Sequence, residues 1–429
     1  MALELKRRLG SRLWPYYLKI QPFVRAVLLS IGGIWRRLLF RTTFIVISGS
    51  VGKTTAKDAI AEVLAAYFPT YKSPGSRNHF VGVFKNLVSV MPWHRFAVIE
   101  VGLDRPGQMK WFALATKPDI AVWVNVARAH MQSFKTLETV AKEKSMLVEG
   151  LRTGGLAVLY SDNPYIAEYQ PPVSVRTARY GEGEGLEWRA SDLSGRWPEH
   201  FSFQVKSGNE QGRVVTKLIG THWLPSVMPA LVVASEAGLT LAQAIAPLAN
   251  LAPMQQRLSE AATPQGAVFL RDERNGSVDS LKVALDVIEA AVAERKILVF
   301  TDVSDSRQKI RLRQRDMGIK ASKIVDVAYF IGDSNGYAVK AAIEAGMDPG
   351  RVFGFYDIES AGKHLLAELR QGDLVLLRGR HADHLSRLYL MTLDEVSCWR
   401  TTCERKIHCD VCPELRPGPR PNRRLVQIS

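Results

Sequence analysis

The chain has 429 residues, a net charge of +15 and 46% hydrophobic residues. This length suits two to three domains with substantial cores. The charge is concentrated at the ends: residues 1–41 hold nine Lys or Arg against one acidic residue, and residues 398–429 hold seven against three. The nearly neutral body argues against DNA or RNA as a partner, because nucleic-acid enzymes usually present a basic face on the folded body.

Residues 1–41 form a basic N-terminal extension that is rich in Trp, Tyr, Leu and Ile. Its apolar stretch Phe23–Trp35 is interrupted only by Arg25 and Ser30 and is too short to span a bilayer. No small-residue cleavage site follows it, which argues against a secretory signal. Two interpretations stay open: an amphipathic segment resting on an anionic membrane surface, at the inner face of the membrane, or a helix that docks on the protein's own body.

A phosphate-binding turn follows the first predicted strand, Phe44–Ile47, and precedes a helix-patterned run, Thr54–Ala66. Its residues are Gly49, Ser50, Val51, Gly52, Lys53, Thr54 and Thr55. Glycines let backbone N–H groups surround phosphate oxygens, the helix N-terminus attracts them, and Lys53 adds a positive charge. The Thr54 hydroxyl suits Mg²⁺. The turn therefore predicts a nucleotide-binding enzyme.

Three more polar residues of the same region are candidates for work on a metal ion. Glu100 ends the predicted strand Phe96–Glu100, at the edge of the sheet where the phosphate-binding turn lies. His130 follows the predicted strand Ile120–Val126 in the same manner, and Lys144 lies in a helical pattern. From the residues alone, each also has a simpler interpretation: a strand-end surface Glu, a structural histidine and a surface lysine.

Strand and helix patterns alternate along most of the chain, which predicts an α/β fold with mostly parallel sheets. Further candidate strands are Ala157–Tyr160, Ala267–Leu270, Lys296–Thr301, Val327–Ile331 and Leu374–Leu377. The stretch Val173–Leu218 breaks the alternation and suits a smaller antiparallel sheet. Pro253 marks a boundary, which gives a P-loop central domain at 42–252 and a second, Rossmann-like α/β domain at 253–397.

All four cysteines lie in the C-terminal segment 398–429, as Cys398, Cys403, Cys409 and Cys412. A body without cysteine leaves no framework of disulfides, so we expect a cytoplasmic protein. The clustering predicts a structural Zn²⁺ bound by the four thiolates; reduced, unliganded thiols or a redox pair are the alternatives. The Arg-rich end that follows is predicted to be a solvated tail.

In their order along the chain, these motifs resemble those of the Mur ligases. The resemblance rests on the run from Ile47 to Thr55, Pro74-Gly75 with Asn78 and Gly82, Val98–Gly102, Asn125 with His130, Lys144, Gly220-x-His222, and Pro253-x-x-x-Arg257. It covers about residues 42–390. Within the family, the run Asp272–Lys282 is most similar to that of the ligases that add D-alanyl-D-alanine to UDP-N-acetylmuramoyl-tripeptide.

The resemblance implies an ATP-dependent ligase that joins a carboxylate to an amine through an acyl-phosphate and releases ADP and phosphate. It implies that Lys53 stabilises the transferred phosphoryl group and that Thr54 and Glu100 hold one Mg²⁺. Glu100, His130 and Lys144 are implied to serve a second Mg²⁺, Lys144 as a carbamate that offers an anionic oxygen.

The resemblance also extends to the nucleotide contacts. It implies that Asn125 belongs to the cofactor site of the central domain. Arg257, Asp272 and Asn275 match positions that contact ATP from the C-terminal domain, which implies that the two domains close over the nucleotide.

The chain departs from the family pattern at several places. Ser76, Trp223 and Ser226 stand where asparagines are common, Gln256 replaces the glycine before Arg257, and Arg271 and Arg274 replace an acidic residue and a Tyr. Only about forty residues precede the phosphate-binding turn. We therefore expect the usual N-terminal UDP-substrate domain to be absent.

Three functions stay open. The first is an active Mur-type amide ligase on a cell-envelope or amino-acid-polymer substrate, with a carboxylate-bearing acceptor and an amino acid or dipeptide as partners. The second is the UDP-muramoyl-tripeptide D-alanyl-D-alanine ligase itself, with its substrate domain supplied in trans. The third is a nucleotide-binding scaffold with little catalysis. Retention of Lys53, Glu100, His130 and Lys144 argues against the scaffold, because a binding module has no need for a second metal site.

Overall fold

A computed structural model describes residues 23–127, 134–274, 276–304, 306–401, 403 and 407–415. His130 and Asn275 lie outside the described residues, as does the predicted tail after residue 415. The chain divides into two compact units. The first comprises Met1–Gly195 with His200–Ala252, and the second Arg196–Glu199 with Pro253–Ser429.

The first unit is built on a nine-stranded sheet in the order β2-β3-β1-β4-β5-β6-β7-β8-β9. Its strands are β1 (Thr43–Ser48), β2 (Thr70–Lys72), β3 (Phe96–Glu100), β4 (Ile120–Trp123), β5 (Leu156–Tyr160), β6 (Arg176–Gly181), β7 (Trp188–Ser194), β8 (Ser202–Ser207) and β9 (Glu210–Val215). The strands from β2 to β7 pair in parallel, and β8 and β9 continue the sheet antiparallel. Strands β3 and β4 are buried along their whole length, as near-continuous apolar runs in a covered parallel sheet should be.

The helices of this unit pack two apolar cores against the sheet. They are α1 (residues 23–38), α2 (Lys53–Ala65), α3 (Phe80–Ser89), α4 (Gln108–Thr116), α5 (Leu137–Glu149), α6 (Pro164–Ala167), α7 (Leu224–Glu236) and α8 (Leu241–Leu248). The parallel α/β fold predicted from the alternating pattern is therefore confirmed.

The smaller antiparallel sheet predicted at Val173–Leu218 is observed only in part: β7, β8 and β9 pair antiparallel, but β6 does not. Strand β6 pairs in parallel with β5 along its first five residues, so the stretch extends the main sheet. The buried Tyr180 on β6 packs against Tyr160 on β5, with ring centroids 5.4 Å apart, and this contact joins the two parts into one core.

Helix α1 docks on the first unit by one face. Trp35 Nε1 donates to the Val90 carbonyl at 2.8 Å, and the buried Arg36 guanidinium donates to Asp119 at 2.8 Å and to the Thr116 carbonyl at 3.0 Å. A Cβ at Gly32 would lie 2.9 Å from Leu87 Cδ1, so the helix packs closely there. Across the described ranges, no helix is both long and apolar enough to cross a bilayer.

The second unit is a six-stranded sheet in the order β10-β11-β15-β12-β13-β14, parallel except for β10. Its strands are β10 (Ser259–Ala262), β11 (Val268–Asp272), β12 (Arg295–Phe300), β13 (Val327–Ile331), β14 (Val352–Phe355) and β15 (Asp373–Arg378). Its helices are α9 (Val278–Ala290), α10 (Ile310–Ile324), α11 (Asn335–Glu344), α12 (Ile358–Glu368) and α13 (Ser386–Leu390). The second α/β unit is as predicted.

Candidate active site

The turn between β1 and α2 is shaped for close approach of backbone to a ligand. Gly52 caps α2 with φ +80°, and a Cβ there would lie 2.3 Å from Ser226 Oγ. A Cβ at Gly49 would lie 2.3 Å from Val124 Cγ2. Only glycine fits these two positions without displacing a neighbour. The backbone N–H groups that open α2 are thereby brought to one anion-binding turn.

Asn125, predicted as a cofactor-site residue, holds the turn from the end of β4. Its Oδ1 accepts from Ser50 N at 2.9 Å and from Val51 N at 3.0 Å. The Ser50 hydroxyl in turn donates to the Ala127 carbonyl at 3.0 Å and accepts from Ala127 N at 2.9 Å. These bonds fix the conformation of the turn before any ligand is bound.

Thr54 and Glu100 meet as the strand-edge argument predicts. Thr54 Oγ1 donates to Glu100 Oε2 at 2.9 Å, and the carboxylate is 1% exposed, so the interpretation as a surface Glu is wrong. Asn78 Nδ2 donates to Glu100 Oε1 at 2.7 Å and fixes its orientation. Ser76 Oγ lies 3.2 Å from Thr54 Oγ1. Sequence analysis gives Asn78 no role of its own; its only indication there is that it belongs to the motif Pro74-Gly75 with Asn78 and Gly82.

This set of oxygens fits Mg²⁺. A hydroxyl and a carboxylate oxygen are hard ligands, and Mg²⁺ commonly takes one or two protein ligands together with phosphates and water. Within the described ranges, no group of three or more His, Cys, Asp or Glu side chains is arranged to hold a metal ion. A Mg²⁺ at Thr54 and Glu100 would thus be completed by the nucleotide.

Lys53 and Lys144 both reach the phosphate-binding turn. Lys53 Nζ donates to the Gly49 carbonyl at 2.8 Å and to the Ser50 carbonyl at 3.0 Å. Lys144 Nζ, from the middle of α5, donates to the same Gly49 carbonyl at 2.8 Å. Lys144 is 4% exposed, so the interpretation as a surface lysine is wrong.

The surroundings of Lys144 disfavour its charged form. Burial is the main cause that lowers the pKa of Lys144 well below its ordinary value, and the Lys53 ammonium lowers it further. Glu143 raises the pKa only in part, because its carboxylate accepts from Gly107 N and Met109 N at the start of α4. Lys144 is therefore a buried amine that is easily deprotonated.

In the second unit, Asp272 lies at the carboxyl end of β11 and supports the loop that carries Arg257. Its Oδ1 accepts from Leu258 N at 3.2 Å, and its Oδ2 pairs with the fully buried Arg378. Burial raises the pKa of the Asp272 carboxyl, and the Arg378 guanidinium opposes that rise. Among the described residues, Asp272 thus acts on the position of Arg257 through the backbone.

A cavity of about 520 Å³ lies beyond the ends of the central strands of the second sheet. Its lining carries both signs of charge with an excess of acids: the basic residues are Arg380, Arg387 and Arg400, and the acidic ones are Asp302, Asp333, Asp357, Glu359 and Asp383. Arg380 pairs with Asp383 at 2.8 Å. A concave site with acids and guanidinium groups suits a small ligand that carries an ammonium and a carboxylate.

The predicted zinc site is not supported by the arrangement of the described side chains. The described residues include all four cysteines, yet no three metal-ligating side chains come together. Cys409 Sγ lies 3.5 Å from His384 Nδ1, and Cys398 Sγ accepts from Arg387 Nη2 at 3.8 Å. Cys398, Cys409 and Cys412 instead pack against a small core of Leu390, Val396 and Leu415. Three of the four cysteines thus contribute partly buried side chains to this core, as free cysteines commonly do.

Two domain models match the chain. The Mur ligase middle domain matches residues 47–234, and the Mur ligase, glutamate ligase domain matches residues 256–381. The chain belongs to the Mur ligase family. This places it among the ATP-dependent ligases that form peptide bonds.

Individual relatives agree with this assignment. The UDP-N-acetylmuramoyl-tripeptide–D-alanyl-D-alanine ligase of Bacillus subtilis is 25% identical over 81% of this chain and 75% of its own length. The Escherichia coli enzyme of the same name is 28% identical over 63% of this chain, and the match spans only 60% of that enzyme.

Solved structures show the same fold. MurF from Acinetobacter baumannii has a TM-score of 0.78 at 21% identity, covering 86% of this chain and 80% of its own. MurF ligase from Thermotoga maritima in complex with ADP has a TM-score of 0.72 at 20% identity, covering 86% and 83%.

Proposed function

We propose that this protein uses ATP to join the carboxylate of a muramoyl-peptide-type substrate to the amine of an amino acid or dipeptide, in the cytoplasm. The observation that carries the proposal is the convergence of Lys53, Lys144, Thr54 and Glu100 on one glycine-rich turn. A turn of this kind needs only backbone N–H groups and one Lys to bind phosphate. The buried Lys144 amine and the oriented Glu100 carboxylate are not needed for phosphate binding alone, and both suit phosphoryl transfer.

In this proposal the γ-phosphoryl group passes to the substrate carboxylate. The carboxylate oxygen forms the new bond to phosphorus as the bond to ADP breaks, and the attacking amine then displaces phosphate and loses a proton. Lys53 leaves its carbonyl partners to neutralise the transferred group. Thr54 and Glu100 would hold Mg²⁺, which when bound neutralises charge on the phosphates.

Lys144 is proposed to act as a carbamate. Its amine attacks carbon dioxide, a nitrogen–carbon bond forms, and one proton leaves, so that an ammonium position becomes an anionic oxygen ligand. The lowered pKa of Lys144 supports this, because only the neutral amine is a nucleophile. With Glu100 and His130 it would serve a second Mg²⁺. In the second unit, Arg257, Asp272 and Asn275 are proposed to contribute to ATP binding.

The names of the relatives favour a muramoyl tripeptide as the carboxylate and D-alanyl-D-alanine as the amine. The mixed-charge cavity of the second unit is large enough for a dipeptide zwitterion. The alternative proposals are the UDP-linked tripeptide ligase with its substrate domain in trans, and a scaffold with little catalysis. The buried Lys144 beside the turn argues against the scaffold.

An ADP-release assay separates these proposals. The protein is incubated with ATP, Mg²⁺ and bicarbonate, and every pair of one carboxylate and one amine is tested. The carboxylates are UDP-muramoyl tripeptide, its lipid-linked form and a glutamate polymer, and the amines are D-alanyl-D-alanine, D-alanine and glutamate. ADP that forms only with a complete pair supports the ligase and identifies its substrates. ADP formation with none of the pairs contradicts the leading proposal.

We also propose that α1 rests on an anionic membrane surface at the inner face of the membrane. The side of α1 that faces away from the body is apolar: Phe23, Val27, Ile31, Ile34 and Leu38 are 40–71% exposed and are spaced three or four residues apart. The basic extension supplies charge complementary to anionic lipid: residues 1–41 hold nine Lys or Arg, of which Arg36 is buried against Asp119. An apolar helix face combined with basic residues is typical of interfacial helices.

Vesicle co-sedimentation tests this. The full chain should bind vesicles with 30% or so anionic lipid more tightly than neutral vesicles, and raised salt should weaken binding. Ile31→Gln with Ile34→Gln should release it, whereas Val173→Gln, at an exposed apolar residue elsewhere, should not. Equal binding by both variants, or a dimer that forms through this face in place of vesicle binding, would contradict the proposal.

A further inference from the structure

The loop that carries Arg257 is held in an unfavourable backbone conformation. Gln256 has φ +64° and Leu258 has φ +51°, so both neighbours of Arg257 lie in the left-handed region that favours glycine. Such residues persist only where the surrounding structure holds them, and they concentrate at functional sites. The contacts of Gln256 and Leu258 must therefore stabilise this loop.

Backbone bonds hold part of it: Gln256 N donates to Ser259 Oγ at 2.9 Å, and the Gln256 carbonyl accepts from Arg274 N at 3.1 Å. Side chains add a tie on each side of Arg257. On the Leu258 side, the backbone N–H donates to Asp272, whose carboxylate pairs with Arg378. On the other side, the Gln256 side chain is 2% exposed and donates through Nε2 to Asp410 Oδ2 at 2.5 Å and to Ser386 Oγ at 3.1 Å.

Asp410 lies in the cysteine-rich segment, between Cys409 and Cys412, and is itself anchored by a buried cation. Arg271 Nη1 donates to Asp410 Oδ1 at 2.5 Å and Arg271 Nη2 to Asp410 Oδ2 at 3.1 Å. Arg271 is 5% exposed and also pairs with Glu273 at 2.5 Å. A two-point guanidinium–carboxylate pair fixes direction as well as distance.

This arrangement explains two departures from the family pattern together. Where a glycine is common, Gln256 needs a partner to keep its left-handed backbone. Where an acidic residue is common, Arg271 supplies the charge that holds that partner. Both side chains meet at Asp410, which belongs to a segment beyond the matched ligase domains.

We infer that Asp410 is a positioning residue for ATP binding. Through Gln256 it keeps the loop in the conformation that presents Arg257, and so the cysteine-rich segment is a working part of the ligase. The inference rests on the proposed function, in which Arg257 contributes to ATP binding.

The first experiment is steady-state kinetics of Asp410→Asn in the full chain. Loss of the charged hydrogen bonds should raise the KM for ATP roughly tenfold, while the KM for the amine substrate and kcat change less than about twofold. Glu395→Gln, at an exposed acid three residues before the cysteine-rich segment, is the control and should leave all three constants unchanged. An unchanged KM for ATP in Asp410→Asn, or a uniform loss of kcat with lowered thermal stability, would overturn the inference.

A second variant separates positioning from general stability. Glycine adopts a positive φ without a side-chain tie, so in the Gln256→Gly background the substitution Asp410→Asn should change the KM for ATP less than about twofold. The same tenfold rise in both backgrounds would overturn the inference. If the wild-type chain forms no ADP, the proposed function fails by itself. Titration of wild type and Asp410→Asn with a non-hydrolysable ATP analogue then tests Asp410, with a tenfold weaker Kd expected.

Discussion

Lys53 and Lys144 donate to one shared acceptor, the carbonyl oxygen of Gly49, and each nitrogen lies 2.8 Å from it. Two ammonium groups on one oxygen repel each other at short range. Because Lys144 is also buried, the repulsion is relieved most readily by loss of its proton. The two lysines are thus unequal, because the surroundings of Lys144 favour its neutral amine.

The first prediction separates these roles by substitution with arginine. Arginine keeps a positive charge, and because its guanidinium stays protonated it cannot form a carbamate. Lys144→Arg should therefore lower kcat by roughly a hundredfold or more. Lys144→Ala should recover part of its activity when short carboxylates are added. Lys142→Arg, on the exposed side of the same helix, is the control. A fully active Lys144→Arg variant would rule out the carbamate.

The second prediction concerns the phosphoryl group. Lys53→Ala should lower kcat for ADP formation by roughly a hundredfold or more, because it removes charge stabilisation that develops only in the transition state. The fold should stay intact, which circular dichroism checks. ADP formation at the wild-type rate would contradict the proposed mechanism.

The third prediction concerns Asn78, which orients Glu100. Asn78→Ala should raise the Mg²⁺ concentration needed for half-maximal activity by roughly tenfold or more, since partners of a ligand tune its affinity by that order. Activity is titrated with Mg²⁺ at saturating ATP. Asn250→Ala, at an exposed asparagine, serves as the comparison. An identical Mg²⁺ requirement in both variants would assign Asn78 to packing alone.

The fourth prediction is a pH dependence of stability. The pKa of Lys144 is lowered in the folded protein, so between that value and about pH 10.4 the unfolded chain binds more protons than the folded one. The free energy of unfolding therefore rises with pH through this window. In bicarbonate-free buffer, Lys144→Met should be more stable than wild type at pH 7, and the difference should shrink toward pH 10.

Urea unfolding of both proteins at several pH values measures this difference. Lys142→Met should show no such trend, because Lys142 is exposed. A difference between Lys144→Met and wild type that is constant with pH would mean that Lys144 keeps its proton when buried.

The sequence predicted those site residues whose positions follow from a local pattern of strand, turn and helix. Glu100 and the glycine-rich turn could be placed because a parallel strand brings its last residue to the carboxyl edge of the sheet. Lys144 needed the family resemblance, since its helical pattern alone reads as a surface lysine. Its burial results from the packing of α5 beside the turn, which no local pattern encodes.

Long-range packing is what the local sequence patterns could not predict. Four clustered cysteines predict zinc, yet their surroundings at Leu390, Val396 and Leu415 make a small apolar core. The role of Asp410 could not be predicted, because its partners Gln256 and Arg271 lie 154 and 139 residues away along the chain. The N-terminal extension had two interpretations, docking on the body and binding to a membrane surface. The contacts of the inner face of α1 agree with docking on the body.

The anchoring of α1 through Arg36 limits how this protein can be shortened. The Asp119 carboxylate accepts from Arg36 at 2.8 Å and from Phe44 N at 2.7 Å, so one buried acid joins the helix to the start of β1. A recombinant chain that starts at residue 42 would lose the buried cation of this acid, leaving the more exposed Arg152 at 2.7 Å as its ion-pair partner, and would lose Leu29 and Leu39 from the core. Loss of ligase activity in such a truncation would report damage to the strand that leads into the phosphate-binding turn. Point substitutions on the outer side of α1 therefore test what that helix binds without disturbing the core.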